Sequence, residues 1–204
     1  MRATRGILRT SFALAIVAAL SAQIATEVLK HAFAPGHFFS FFTIESNIFA
    51  AAIFALAWVY ERGPATPRWF ALARGAGTSF LAVTGIVYWA ILENGPEILL
   101  PWVNIVLHAL VPIAAVADWI VTPSPLEASF WRALRWWLAF PLLYCAYSLI
   151  RGPIVAWYPY GFLDPRKFGY PAVVAFCIVI AFGFAAIDAG IFAIARRRFG
   201  NLTS

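Results

Sequence analysis

Charge is what this sequence has least of: 12% of its 204 residues are Asp, Glu, Lys or Arg, against about 25% in a soluble domain. Cysteine occurs twice and histidine three times. Each shortage excludes something. A chain that is 63% apolar or aromatic has too little polar surface for a water-soluble fold of this size. Cys145 and Cys177 both fall inside apolar runs, where a thiol acts as a small apolar residue. They suggest neither a disulfide framework nor a metal site. There is no Gly-rich phosphate loop and no carboxylate-and-histidine set at metal spacing, so neither a cofactor nor a metal is expected.

What the chain does have is long apolar runs, at 8–29, 40–60, 72–92, 99–121, 133–150 and 171–194. Each is near the ~20 residues that span a hydrocarbon core. Lipid offers no partner to backbone N–H and C=O groups, and nothing alternates with the two-residue period of a barrel, so each run is expected to be a helix. The expected fold class is all-α, an integral membrane bundle of six transmembrane helices forming one domain over 1–204. Only the segments 61–71, 122–132 and 151–170 leave room for longer connections.

The basic residues set an orientation. With the N-terminus inside, Arg2, Arg5, Arg9, Arg62, Arg68, Arg74, Arg132, Arg135, Arg196, Arg197 and Arg198 all face the cytoplasm, eleven of the fifteen Lys and Arg. Lys30, Arg151, Arg166 and Lys167 remain outside. Both termini are therefore expected to be cytoplasmic, in a plasma (cytoplasmic) membrane. The net charge of +6 reads as topology, not as affinity for nucleic acid. The basic start and Ala-rich run also resemble a signal peptide. Gln23, Thr26, Glu27 and Lys30, however, share one helix face, which favours a retained first span. Nothing in the sequence sets the oligomeric state.

Polar side chains within spans are costly, so their positions carry information. They gather in the outer half. The second span carries Thr43, Ser46 and Asn47 on one face, the fourth Asn104 and His108, and the fifth Tyr144, Tyr147, Ser148 and Arg151. The inner half holds chiefly Asp118 and Asp188. The expectation is a polar cavity open to the outer leaflet and floored by apolar packing. Taken singly, such residues are most simply interhelical hydrogen-bonding glue.

One pair stands apart. The second and fourth spans both enter from outside, so Thr43 lies about 8 Å and His108 about 12 Å below the boundary. Side chains lean toward a helix N-terminus, which brings the imidazole up toward the hydroxyl. A hydroxyl beside a base is the minimum apparatus of covalent acyl transfer. Pro112 has no N–H to give the His108 carbonyl, so a kink and a free acceptor are expected there. The segment Trp157-Tyr158-Pro159-Tyr160-Gly161-Phe162-Leu163-Asp164-Pro165 reads either as an interfacial aromatic belt or as a lid, from which Asp164 or a tyrosine hydroxyl reaches the site.

Taken together, Phe42-Thr43-Ile44-Glu45-Ser46-Asn47, then Trp102, Asn104, His108 and Pro112, then Arg151-Gly152, Trp157-Tyr158-Pro159-Tyr160 and Asp164 resemble a bacterial member of a known membrane family. It is the androgen-induced protein and androgen-dependent TFPI-regulating protein family, whose members span the membrane six times. The resemblance implies an intramembrane threonine hydrolase that cleaves lipid esters, such as fatty acid esters of hydroxy fatty acids, with Thr43 as nucleophile and His108 as base. Asn47, Asn104, Ser46, Tyr144, Ser148, Arg151, Tyr158 and Asp164 are the candidates for holding substrate or the oxyanion. The expected partner is a membrane lipid or fatty-acyl ester. The alternatives are a small transporter or lipid-binding protein using the same cavity without chemistry, and a scaffold whose polar residues only join helices.

Overall fold

A computed structural model describes residues 2–62, 66–93 and 100–200. Among these the fold is all-α, with no strand. Six helices are long and apolar enough to cross a membrane: Thr4–Leu29, Phe42–Tyr60, Arg68–Leu92, Pro101–Val121, Phe130–Val155 and Pro165–Phe199. They are called the first to sixth spans below. The helices outrun several of the apolar runs because an arginine or proline that closes a run need not close a helix. The fifth and sixth spans take up most of 151–170, leaving a short loop with a 3-10 turn at Gly161–Leu163.

Neighbouring spans run antiparallel, as the ties at the two ends show. At one end Arg9 of the first span and Arg74 of the third both reach Asp118 near the close of the fourth. Arg68 pairs with Glu127 there, and Arg196 reaches the Ala128 carbonyl. At the opposite end Thr43 opens the second span beside His108 of the fourth and Tyr160 of the loop before the sixth.

The third span is the hub, with 61% of its most apolar stretch buried against 17% for the sixth. Small residues make this possible. A Cβ on Gly75 would stand 2.4 Å from the Trp137 ring, and one on Gly85 would stand 3.1 Å from the His108 carbonyl oxygen and 3.2 Å from Pro112 Cβ. Large apolar side chains such as Leu143, Val179 and Phe182 point outward, an arrangement that lipid accommodates and water does not. The first helix is built into the bundle: Gln23 accepts the Leu100 N–H at 2.9 Å, and Gly6 leaves room for the Trp58 ring.

Departures from regular helix sit near the end that holds Thr43. Tyr88–Leu92 closes the third span as a π turn, and Val106–Leu110, which contains His108, is a second. Such turns shift the register of the side chains that follow and are frequent at functional sites. The sixth span breaks at Gly169, where φ is 75°, a left-handed conformation that glycine adopts at little cost.

The arginine-rich end differs from expectation in one respect. Arg9 and Arg74, which the sequence offers as flanking charges, are buried. Arg9 Nε donates to both Asp118 oxygens at 3.0 and 3.1 Å, and Arg74 donates to Asp118 at 2.7 Å and to Ser124 at 2.7 Å. Arg74 also lies 5.4 Å from the centre of the Trp119 ring. These two arginines tie three spans together, because a buried guanidinium needs an anion and a full set of acceptors.

Candidate functional site

Thr43 and His108 meet. Thr43 Oγ1 lies 3.1 Å from His108 Nε2, across 65 residues of sequence, and both side chains are buried. The other ring nitrogen, Nδ1, is 3.2 Å from the Asn104 carbonyl one turn earlier. A carbonyl can only accept, so Nδ1 carries the hydrogen and Nε2 presents its lone pair to the threonine hydroxyl. The backbone thus sets the tautomer. Tyr88 stacks on the imidazole at 4.0 Å between centroids, and Asn104 Nδ2 donates to the Tyr88 hydroxyl, which fixes the ring from its face.

The acceptor freed by Pro112 has found a donor. The Trp89 indole N–H reaches the His108 carbonyl at 3.1 Å, so the proline's missing N–H is replaced from the third span. Gly85 allows the close approach that this bond requires. The Thr43 main chain is held as firmly. Its carbonyl accepts from Asn47 Nδ2 at 2.8 Å and from the Ser46 hydroxyl at 3.2 Å. Asn47 also reaches the Leu107 carbonyl at 3.4 Å, and Ser46 meets Thr84 at 3.1 Å. The face Thr43, Ser46, Asn47 therefore joins the second span to the third and the fourth.

Beside Thr43 opens a cavity holding about 790 Å³ of empty space, counted out through its mouth. Its walls come from the second, third, fifth and sixth spans and from the loop: Phe42 and Thr43, Val83 and Thr84, Leu138 and Cys145, Ile180 and Phe184, Tyr160 and Phe162. It is far more apolar than the polar cavity expected from the sequence. The polar faces are spent on packing instead. The first-span face closes on the segment before the fourth span through Gln23, and His108 stands behind Thr43 without lining the cavity. Thr43 is thus among the few polar groups in an otherwise greasy wall.

The fifth-span residues divide between wall and frame. Tyr144 lines the cavity and donates to the Ser40 carbonyl at 2.9 Å. Ser148 is buried a turn further on, and Tyr147 pairs with the Ser40 hydroxyl at 2.7 Å. Arg151 lies away from Thr43, donating to the Gly36 carbonyl at 2.9 Å with its guanidinium over Trp157.

In the loop, the residues singled out from the sequence turn out to be its fasteners. Asp164 caps the sixth span and is gripped by Arg166 through both carboxylate oxygens at 2.8 Å. This hydrogen bonding holds its carboxyl below the usual carboxylate range. Tyr158 packs its ring where Gly152 has no Cβ; one added there would stand 2.0 Å from it. The tyrosine that reaches Thr43 is Tyr160. Its hydroxyl accepts the Thr43 N–H at 3.2 Å and lies 3.4 Å from Thr43 Oγ1.

Sequence reasoning gave no individual weight to Tyr160, Tyr88 or Trp89. An orphaned carbonyl ahead of Pro112 did signal that a donor was needed, but not which span supplies it. The two cysteines, read as separate apolar residues, face one another across the cavity wall with their sulfurs 3.2 Å apart. No group of three potential metal ligands occurs among the described residues. No protein-family model, curated protein or solved structure matches the chain.

Proposed function

We propose that this protein is an intramembrane hydrolase of lipid esters, the activity that its motif resemblance to the androgen-induced protein family implies, with Thr43 as nucleophile and His108 as base. One observation carries the reading: a threonine hydroxyl 3.1 Å from an imidazole nitrogen whose partner nitrogen is committed to a carbonyl, on the wall of a largely apolar cavity. A hydroxyl is too weak a nucleophile unaided, and an oriented base is what activates it. The apolar cavity suits a fatty-acyl chain, whose burial stabilises by roughly 0.8 kcal/mol per CH₂.

Thr43 Oγ1 attacks the ester carbonyl carbon while its proton passes to His108 Nε2. Collapse of the tetrahedral intermediate breaks the bond to the alcohol, which leaves with the proton from His108. Water then attacks the acyl-threonine with His108 again as base, releasing the carboxylic acid and restoring Thr43. The arginine distribution supports termini in the cytoplasm and a cavity toward the extracytoplasmic side, reached laterally from the outer leaflet. A transport path to the other side would call on Asp118, which is engaged by Arg9 and Arg74, and on Asp188, which is buried in the sixth span.

Fluorophosphonate labelling of the purified protein in detergent, with adduct mapping by mass spectrometry, tests this. The expected adduct is on Thr43 and disappears in Thr43→Ala and His108→Ala. An unlabelled Thr43 together with no cleavage of a panel of lipid esters overturns the reading.

A further inference from the structure

An ester hydrolase needs a donor for the oxyanion of its tetrahedral intermediate, and the donors suggested by the sequence are either already engaged or, like the buried Ser148 hydroxyl, absent from the cavity wall. Asn47 Nδ2 serves the Thr43 and Leu107 carbonyls. Asn104 Nδ2 serves Tyr88, and the Tyr144 hydroxyl donates to the Ser40 carbonyl. Tyr160 is different. Its oxygen accepts the Thr43 N–H at 3.2 Å, so that bond does not use its own hydrogen. It lies 3.4 Å from Thr43 Oγ1 and lines the cavity.

We infer that the Tyr160 hydroxyl is the oxyanion donor of this site, supplied by the loop between the fifth and sixth spans; this rests on the ester-hydrolase reading. The oxyanion lies two bonds from Thr43 Oγ1, so a hydroxyl 3.4 Å from that atom can reach the range of about 2.7–3.1 Å at which such donors act. Burial raises the phenol above its ordinary value, which keeps its hydrogen in place. The ring is fixed from two sides. Phe162 stacks on it at 5.3 Å and 3°, and Phe41 meets it edge-on at 5.7 Å. The loop is tied down by Asp164 with Arg166, by Tyr158 against Gly152, and by Trp157 stacked on His37 at 4.2 Å. Its aromatic sequence thus places one hydroxyl in the site.

The test compares wild type, Tyr160→Phe and Thr43→Ala on a long-chain p-nitrophenyl ester, and measures binding of an alkylboronic acid whose tetrahedral adduct puts an oxygen at the oxyanion position. Tyr160→Phe is expected to lower kcat by about 10²- to 10³-fold with KM unchanged, and to lower the thermal midpoint slightly because the Thr43 N–H loses its acceptor. Boronate affinity should fall with kcat. If Tyr160→Phe keeps turnover and boronate affinity while Thr43→Ala loses both, the donor lies elsewhere and the hydrolase reading stands. A shift in KM and thermal midpoint with boronate affinity intact makes Tyr160 structural and also overturns the inference. If Thr43→Ala turns over fully, the hydrolase reading falls and takes the donor with it.

Should the phenylalanine variant not fold, a fluorinated tyrosine at Tyr160 keeps the ring and the hydroxyl but ionises at lower pH. A phenolate cannot donate, so kcat should fall as pH rises through that lower value; a profile identical to wild type refutes the role. Ionisable groups facing the phenol are His108 behind Thr43, Tyr144 and Glu45.

Discussion

At the arginine-rich end Asp118 lies between two buried guanidiniums, whereas around Thr43 the buried contacts are made by hydroxyls, amides, an imidazole and backbone carbonyls. Both ends hold spans together, but they do so by different means. Full charges give strong ties, and they become a liability once one partner is removed. Neutral groups bind more weakly and leave a hydroxyl free to react beside an apolar cavity. The ionic end is thus suited to fixing the bundle and the neutral end to accommodating a ligand.

The comparison breaks most visibly at Thr43 and His108. Either Thr43→Ala or His108→Ala should lower turnover of a lipid ester by about 10⁴- to 10⁶-fold, with thermal unfolding in detergent little altered. Combining them should add almost nothing, since the two act as a unit. At the other end Asp118→Asn should do the reverse. It leaves two buried guanidiniums short of an anion, at a cost of about 3–5 kcal/mol, read as a lower thermal midpoint with the activity of the surviving folded protein unchanged.

Gly85→Ala sharpens the boundary between the two behaviours. Its new Cβ meets the His108 carbonyl oxygen and Pro112, so it should cost about 1–3 kcal/mol and also reduce kcat, because the third span moves away from the carbonyl that Trp89 caps. Serine at that position should be no better. The smallest effect concerns the loop. Asp164 has its carboxyl depressed by Arg166, so its contribution is present above ~4, where the unfolded carboxylate ionises, and is lost as pH falls through the lower folded value. Protection of the loop amides against hydrogen exchange, taken relative to the intrinsic rate at each pH, should fall on acidification in wild type, with that acid dependence absent from Asp164→Asn.

Part of the site was legible because helix geometry is regular. Thr43, Ser46 and Asn47 share a face by their spacing, and depth along the second and fourth spans brings Thr43 level with His108. The loop was harder to read. Asp164 and Tyr158 carry the more conspicuous groups, yet they fasten the loop while Tyr160 reaches Thr43, and no periodic rule governs where a 3-10 turn points its neighbours. The apolar character of the cavity is hidden from the sequence for a related reason. Polar faces at like depth need not share one space, and Gln23, Asn104 and Asn47 make their hydrogen bonds within the packing.

The sequence by itself determined that its six long apolar runs are helices, because lipid leaves the backbone no other way to satisfy its hydrogen bonds over twenty apolar residues. It also determined that Pro112 frees a carbonyl. The tertiary structure alone decided that Trp89 answers that carbonyl, that Cys145 faces Cys177, that Arg9 and Arg74 share Asp118, and that Tyr160 stands over Thr43. Those are contacts between spans far apart in sequence, set by which side chains fit side by side, and helical periodicity fixes only the face a residue occupies, not the neighbour it meets.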